Sequence, residues 1–246
     1  MNKRNDNMSD ENLYNNEIKA IIKLYNKTVY GLDEKANNIQ GRSYGGYIRS
    51  VKSALVVNIA KRIIELAWEK LEQDPDRLKI YSKEIKIPIK QEYIDELDNE
   101  DVKDYIEEHI EDYYYGYKPD ILVEIDKTPV LAIECKSYTE NAMLKRVLMD
   151  ATLVKTQYPE IKFVLFQLES QLGSNVSGSE DELYESHSAY TIASYFDVDL
   201  TIITLLEGER KVDEPIHEKE FFKPLTEESL QNAVDIFSSL LEEFSE

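Results

Sequence analysis

A single cysteine in 246 residues, Cys135, leaves this chain without an internal disulfide. Its three histidines, His109, His187 and His217, are scattered. None has the spacing of a metal ligand, so each reads as a surface histidine. Eight glycines form neither a P-loop nor a GxGxxG pattern, and no GxSxG nucleophile elbow is present. No apolar run approaches the roughly 20 residues that a membrane helix needs. The opening MNKRNDNMSDENLYNN lacks the apolar segment of a secretory leader. These absences predict a cytoplasmic protein with no membrane span and no thiol, zinc or nucleotide-loop chemistry.

What is present reads as globular: 42% hydrophobic and 32% charged residues, enough for one large domain. Residues 1–15 are Asn- and acid-rich and predict a flexible N-terminal arm. Residues 16–246 show no internal repeat and no boundary, which predicts a single domain. The net charge is −20 but is unevenly spread. Residues 37–90 carry 11 Lys/Arg against 6 Asp/Glu, residues 91–115 carry 1 against 11, and residues 171–246 carry 4 against 18. A nucleic acid responds to the local field, so the total does not exclude it, although it disfavours tight non-specific binding.

Periodicity predicts helices over 16–30, 47–71, 140–158, 181–195 and 226–244. Between the first two lies a polar loop, NNIQGRSYGG (37–46). One strand is predicted over 79–90, where Ile85, Ile87 and Ile89 alternate with polar residues and Pro88 marks an edge. Acid-rich 91–112 suits a short surface helix. Apolar strands follow at 121–125, 130–136, 162–168 and 198–206, the first two joined by the turn DKTP (126–129) into a hairpin. The strand–helix–strand passage after the hairpin predicts a parallel crossover. The fold class is α/β, a mixed central sheet flanked by helices.

The chemistry concentrates in Lys118-Pro119-Asp120 and, after the turn, Glu134-Cys135-Lys136. Strand alternation puts Glu134 and Lys136 on one face and Cys135 on the other. The hairpin would bring Asp120 to Glu134. Two carboxylates and the Cys135 backbone carbonyl form a sufficient oxygen shell for Mg²⁺, with waters completing it. Lys136 can stabilise the charge developing on a phosphate. If it is buried beside the metal, its own pKa could fall enough to assist proton transfer. An ordinary surface hairpin is the plain alternative, but charged groups seldom interrupt a buried apolar run without partners.

These residues resemble the PD-(D/E)xK nuclease superfamily, which includes many type II restriction endonucleases. Pro119-Asp120 matches "PD" and Glu134-Cys135-Lys136 matches "ExK". The motif match covers about 20 residues, and the element order, over roughly 40–210, is similar too. The resemblance implies a restriction-endonuclease-like fold, Mg²⁺-dependent hydrolysis and 5′-phosphate products. In several such nucleases a helix glutamate before the hairpin joins the metal site, and Glu65 is the candidate for that role here. The competing reading of Glu65 is an exposed helix face shared with Arg62 and Glu69. For DNA contact the candidates are Gln40, Arg42, Ser43 and Tyr44 in the glycine-containing loop, with Arg49 and Lys52 behind it. An ordinary surface loop fits equally well. The run Tyr113–Tyr115 suits packing at the sheet edge or base stacking.

The reading is a type II restriction endonuclease: a homodimer that cuts double-stranded DNA, with a cognate DNA methyltransferase encoded nearby. Two alternatives remain open at this point. One is a structure-selective or repair nuclease of the same fold. The other is a non-enzymatic acidic protein that mimics DNA.

Overall fold

The computed structural model describes residues 3–36, 38–39, 41–173 and 186–245, with side chains from residue 13 onward. Gln40 and the stretch 174–185 lie outside the described residues, and with them the start of the predicted 181–195 helix.

The hairpin forms as its pattern demands. Strand β4 (Ile121–Ile125) and β5 (Thr128–Thr139) pair antiparallel, with Ile121 opposite Ile133. Only Asp126 and Lys127 separate them, at φ 51° and 70°. Positive φ at both positions is the turn geometry that matches the right-handed strand twist. Neither residue is glycine, so the turn is fastened from outside. The Arg77 guanidinium donates to the Asp126 carboxylate at 2.9 Å, and the Asp126 amide donates to the Arg77 carbonyl at 3.0 Å. The register has one irregularity, between Val123 and Glu124.

Among the described residues, five strands make the main sheet, in the order β1-β4-β5-β6-β7. β1 (Leu78–Tyr81) runs antiparallel to β4, whereas β6 (Lys162–Ser170) and β7 (Leu200–Thr204) continue parallel to β5. β5 is thus central and covered on both faces. Leu131, Ile133 and Cys135 enter a core with α1 (Lys3–Val29), α3 (Arg42–Lys70) and α8 (Glu227–Glu242). Ala132, on the other parity, enters a second core with α6 (Asn141–Lys155) and α7 (His187–Ala193). Glu134 and Lys136 share the parity of Ala132, so they emerge on the α6 side.

The predicted strand over 79–90 is two strands. β1 ends at Tyr81 opposite Leu122, and Ser82 then turns its hydroxyl to the Pro119 carbonyl at 2.7 Å. After that break β2 (Ile85–Pro88) leaves the main sheet and pairs with β3 (Tyr114–Tyr117) in a separate ribbon. Ile85, Ile87 and Tyr117 pack into the α6-side core. Pro88 sits on a ribbon edge, where its missing N–H costs no ladder bond. The sequence predicted no strand at 114–117.

Two helices begin earlier than expected. α1 is helical from Lys3, where an arm to residue 15 was predicted. α3 starts at Arg42 directly after Gly41, whose φ of 61° lets the chain enter the helix abruptly. α2 (Leu32–Lys35) closes a small satellite core of Leu32, Ala36 and Ile48. The acidic stretch does hold short helices, α4 (Gln91–Asp95) and α5 (Glu100–Glu108), the latter capped by the Asn99 side chain. Among the described residues no helix is long and apolar enough to cross a membrane.

Candidate active site

The hairpin register makes Asp120, one residue before β4, the neighbour of Glu134 on β5. The contact is direct. The Cys135 amide donates to Asp120 Oδ2 at 2.8 Å, so the "PD" carboxylate is tied to the middle of "ExK". Lys136 Nζ stands between the two acids, hydrogen-bonded to Glu134 Oε2 and 3.5 Å from Asp120 Oδ2. The structure therefore brings Asp120, Glu134 and Lys136 together.

The electrostatics of Lys136 are set by its two acidic neighbours. Burial opposes its charge, but the Glu134 carboxylate and hydrogen bond, helped by Asp120, outweigh burial and raise its pKa. With these side chains around it, Lys136 is held as a cation. Cys135 is buried on the other face, and burial followed by the nearby Asp120 charge pushes its thiol well up. It is a protonated core residue and no nucleophile.

Four further side chains complete the site, and of them the sequence had singled out only Tyr115, within the run Tyr113–Tyr115. Tyr117, 4% exposed, donates its hydroxyl to Glu134 Oε1 at 2.8 Å. Burial first, and then the Glu134 charge, raise its pKa, so it stays a phenol. Tyr115, two residues earlier on β3, donates to Asp150 Oδ1 at 2.9 Å. Arg146 Nε stands 3.9 Å from Asp150 Oδ2. These groups, with Lys118 and Met143, line a cavity of about 420 Å³ that opens onto Asp120, Glu134 and Lys136. Asp150 did leave a sequence signal: it interrupts the apolar face of α6 between Val147 and Val154. Tyr117 left none beyond its type, because its role depends on where the ribbon packs.

Glu65 is not brought to this group. It is exposed on α3, and α3 covers the opposite face of the sheet from Glu134 and Lys136. Its charge acts on Glu69 instead, whose carboxyl is raised by burial and then by Glu65. Arg62, expected beside Glu65, bonds Glu17 on α1. Sequence spacing gives the azimuth of a helix residue but not the face of the sheet that the helix covers.

Of the DNA-contact candidates, Gln40 lies outside the described residues. Arg42, Ser43 and Arg49 are exposed at the start of α3. Arg42 and Arg49, with Gly45, Gly46, Ser50 and Ser53, line an open groove. Tyr44 instead leans on the satellite core, its ring 6.4 Å from that of His217. Lys52 is half-buried, and burial lowers its pKa, an effect that Glu169 opposes and Arg210 reinforces. Those two side chains therefore do not present themselves with the arginines.

Two carboxylates joined through a cation are the donor set of a hard divalent metal. Among the described residues no group of three or more His, Cys, Asp and Glu converges. A pair of carboxylates fits a hard divalent ion whose shell is completed by water.

Comparison with known proteins gives a corresponding picture. No family model matches the chain. It is 44% identical over 232 residues to the type II restriction enzyme DdeI of Desulfomicrobium norvegicum, spanning 92% of this chain and 97% of that one. A solved structure, the native BbvCI A2B2 tetramer, overlays on 99% of this chain and 91% of its own at 11% identity, with a TM-score of 0.33. An overlay that loose bears on neither fold nor assembly.

Proposed function

The chain belongs to the type II restriction endonucleases and is an endodeoxyribonuclease, and from that premise we propose that Asp120, Glu134 and Lys136 are its hydrolytic centre. Enzymes of this kind generally need a divalent metal, and here the proposed ion is Mg²⁺. Asp120 and Glu134 would hold it, with the Cys135 carbonyl as a third oxygen. The Cys135 amide already bonds Asp120. The carbonyl of a strand residue leaves on the same edge as its amide, which favours that assignment. When bound, the cation supplies charge neutralisation at the scissile phosphate and a more acidic water.

The protein groups do the rest. Asp120 and Glu134 fix where the phosphate enters. Lys136, held cationic, meets the negative charge that grows on the phosphate oxygens as water adds and the bond to the 3′ oxygen breaks. The products are a 5′-phosphate and a 3′-hydroxyl. Arg146 and Lys118, at the cavity wall, are placed to take flanking phosphates. Arg42, Ser43 and Arg49 are the proposed DNA contacts on α3. A homodimer on a two-fold site, and a methyltransferase that protects host DNA, complete the proposal.

The observation that carries this reading is the single ammonium shared by the two carboxylates, one of them tied to the amide between Glu134 and Lys136. A surface hairpin or a DNA mimic has no need of that convergence. The test is digestion of a long phage DNA with Mg²⁺, followed by sequencing of the fragment ends. Discrete bands with 5′-phosphates, lost in Lys136→Ala, are expected. Full cutting by that variant would refute the site, and a smear would point to a structure-selective nuclease.

A further inference from the structure

The motif hairpin does not account for how Glu134 is aimed. A glutamate has three rotatable bonds, and one salt bridge leaves its carboxylate free to swing. Here both oxygens are held. Lys136 takes Oε2, and Tyr117 donates to Oε1 at 2.8 Å. Tyr117 belongs to β3, outside the main sheet, and is itself fixed on three sides. Its backbone pairs with Ile85 of β2, its ring lies 6.2 Å from that of Phe163, and it is 4% exposed.

We propose that Tyr117 is a positioning residue that holds the Glu134 carboxylate in its metal-binding orientation, and that the β2–β3 ribbon exists in part to supply it. The inference rests on the metal site proposed above. A carboxylate oxygen has two lone pairs, so one phenol on Oε1 leaves acceptor capacity on both oxygens for a cation. The same strand repeats the device. Tyr115 shares a face with Tyr117 by alternation and donates to Asp150 Oδ1 at 2.9 Å. One strand thus presents two phenols, one to each wall of the cavity, the first on β5 and the second on α6. Partners of this kind orient metal ligands, and their removal typically weakens metal binding or activity by about 10–100-fold.

The experiment is calorimetric titration of the full chain with Mn²⁺, without DNA, together with single-turnover cleavage. Tyr117→Phe keeps the ring on Phe163 and removes only the donor. It should weaken Mn²⁺ binding by about 10–100-fold and slow the cleavage step, with the DNA concentration for half-maximal rate unchanged. Tyr115→Phe, which does not touch Glu134, should shift Mn²⁺ binding less. Glu134→Asp withdraws the carboxylate from the phenol, so adding Tyr117→Phe to it should cost nothing more. Unaltered Mn²⁺ affinity in Tyr117→Phe, or fully additive losses in the double variant, would overturn the proposal while leaving the metal site intact. Failure of the wild type to bind Mn²⁺, or undiminished binding by Glu134→Gln, would overturn the metal site and the proposal together.

Discussion

Replacing Lys136 by methionine asks what the ammonium contributes before any reaction occurs. Methionine keeps most of the apolar stem and removes the charge. Lys136 Nζ lies 3.5 Å from Asp120 Oδ2 and closer still to Glu134. At an effective dielectric near 20, a unit pair at that distance is worth about 5 kcal/mol. Solvent takes back much of it. The Lys136 and Asp120 side chains are 32% and 37% exposed, though Glu134 is only 12%. Exposed pairs net about 0–1 kcal/mol, and breaking buried ones costs about 3–5 kcal/mol. A loss of about 2 kcal/mol is therefore expected, which is about 4–8 °C in melting temperature for a chain of this length. The sign of the pH dependence follows from the raised pKa. The stabilisation is fully present below the unfolded lysine value of 10.5 and fades as the pH rises through the higher folded value. The discriminating measurement is urea unfolding at pH 7.5 with and without millimolar Mg²⁺. A divalent cation that binds between the same carboxylates should stabilise the variant more than the wild type and narrow the gap. An unchanged midpoint without Mg²⁺, or a gap that widens with it, would refute the idea that one cation position is shared.

Three shorter predictions accompany it. Asp120→Asn keeps an oxygen for the Cys135 amide, so the melting point should hold within about 1 kcal/mol while cleavage falls at least about 100-fold; substantial residual cutting would remove Asp120 from the site. Cys135→Ala should cost about 1 kcal/mol of stability and leave the cleavage rate within a few-fold, because the thiol is a buried packing group, and a lost rate in a folded variant would contradict that. Removing Arg42 and Arg49 together should weaken DNA binding and make the slope of log K against log salt shallower by about 2; an unchanged slope would move the contact surface elsewhere.

The parts of the site that were legible in the chain are those that depend on near neighbours. Alternation along VLAIECK is enough to place Glu134 and Lys136 on one face, and the hairpin is enough to bring Asp120 near Glu134; that the turn is the two residues 126–127, not 126–129, and that a register shift at Val123/Glu124 sets Asp120 opposite Glu134 had no local sign. Tyr117, Tyr115 and Asp150 meet only because a ribbon of residues 85–88 and 114–117 packs over α6, and no local pattern reports that meeting. The same limit explains the misread 79–90 strand. Its alternation is real, but a strand that changes partners halfway keeps its period. Glu65 fails for a related reason: its neighbours on α3 were visible, and the sheet standing between α3 and the site was not.

β5 carries a consequence for how this enzyme fails. Glu134 and Lys136 ride on β5 just past the end of β4: the β4 ladder stops at Ile133, β6 pairs on through Thr139, and on the other edge the Cys135 amide is held by the Asp120 side chain. A strand end closed on one edge by a ladder and on the other by a side chain can open locally before the centre of the sheet does. Local opening there would part Glu134 and Lys136 from Asp120 while the inner half of the strand stays paired on both edges. A partly opened molecule would thus lose the grouping of Asp120, Glu134 and Lys136 before it loses the fold.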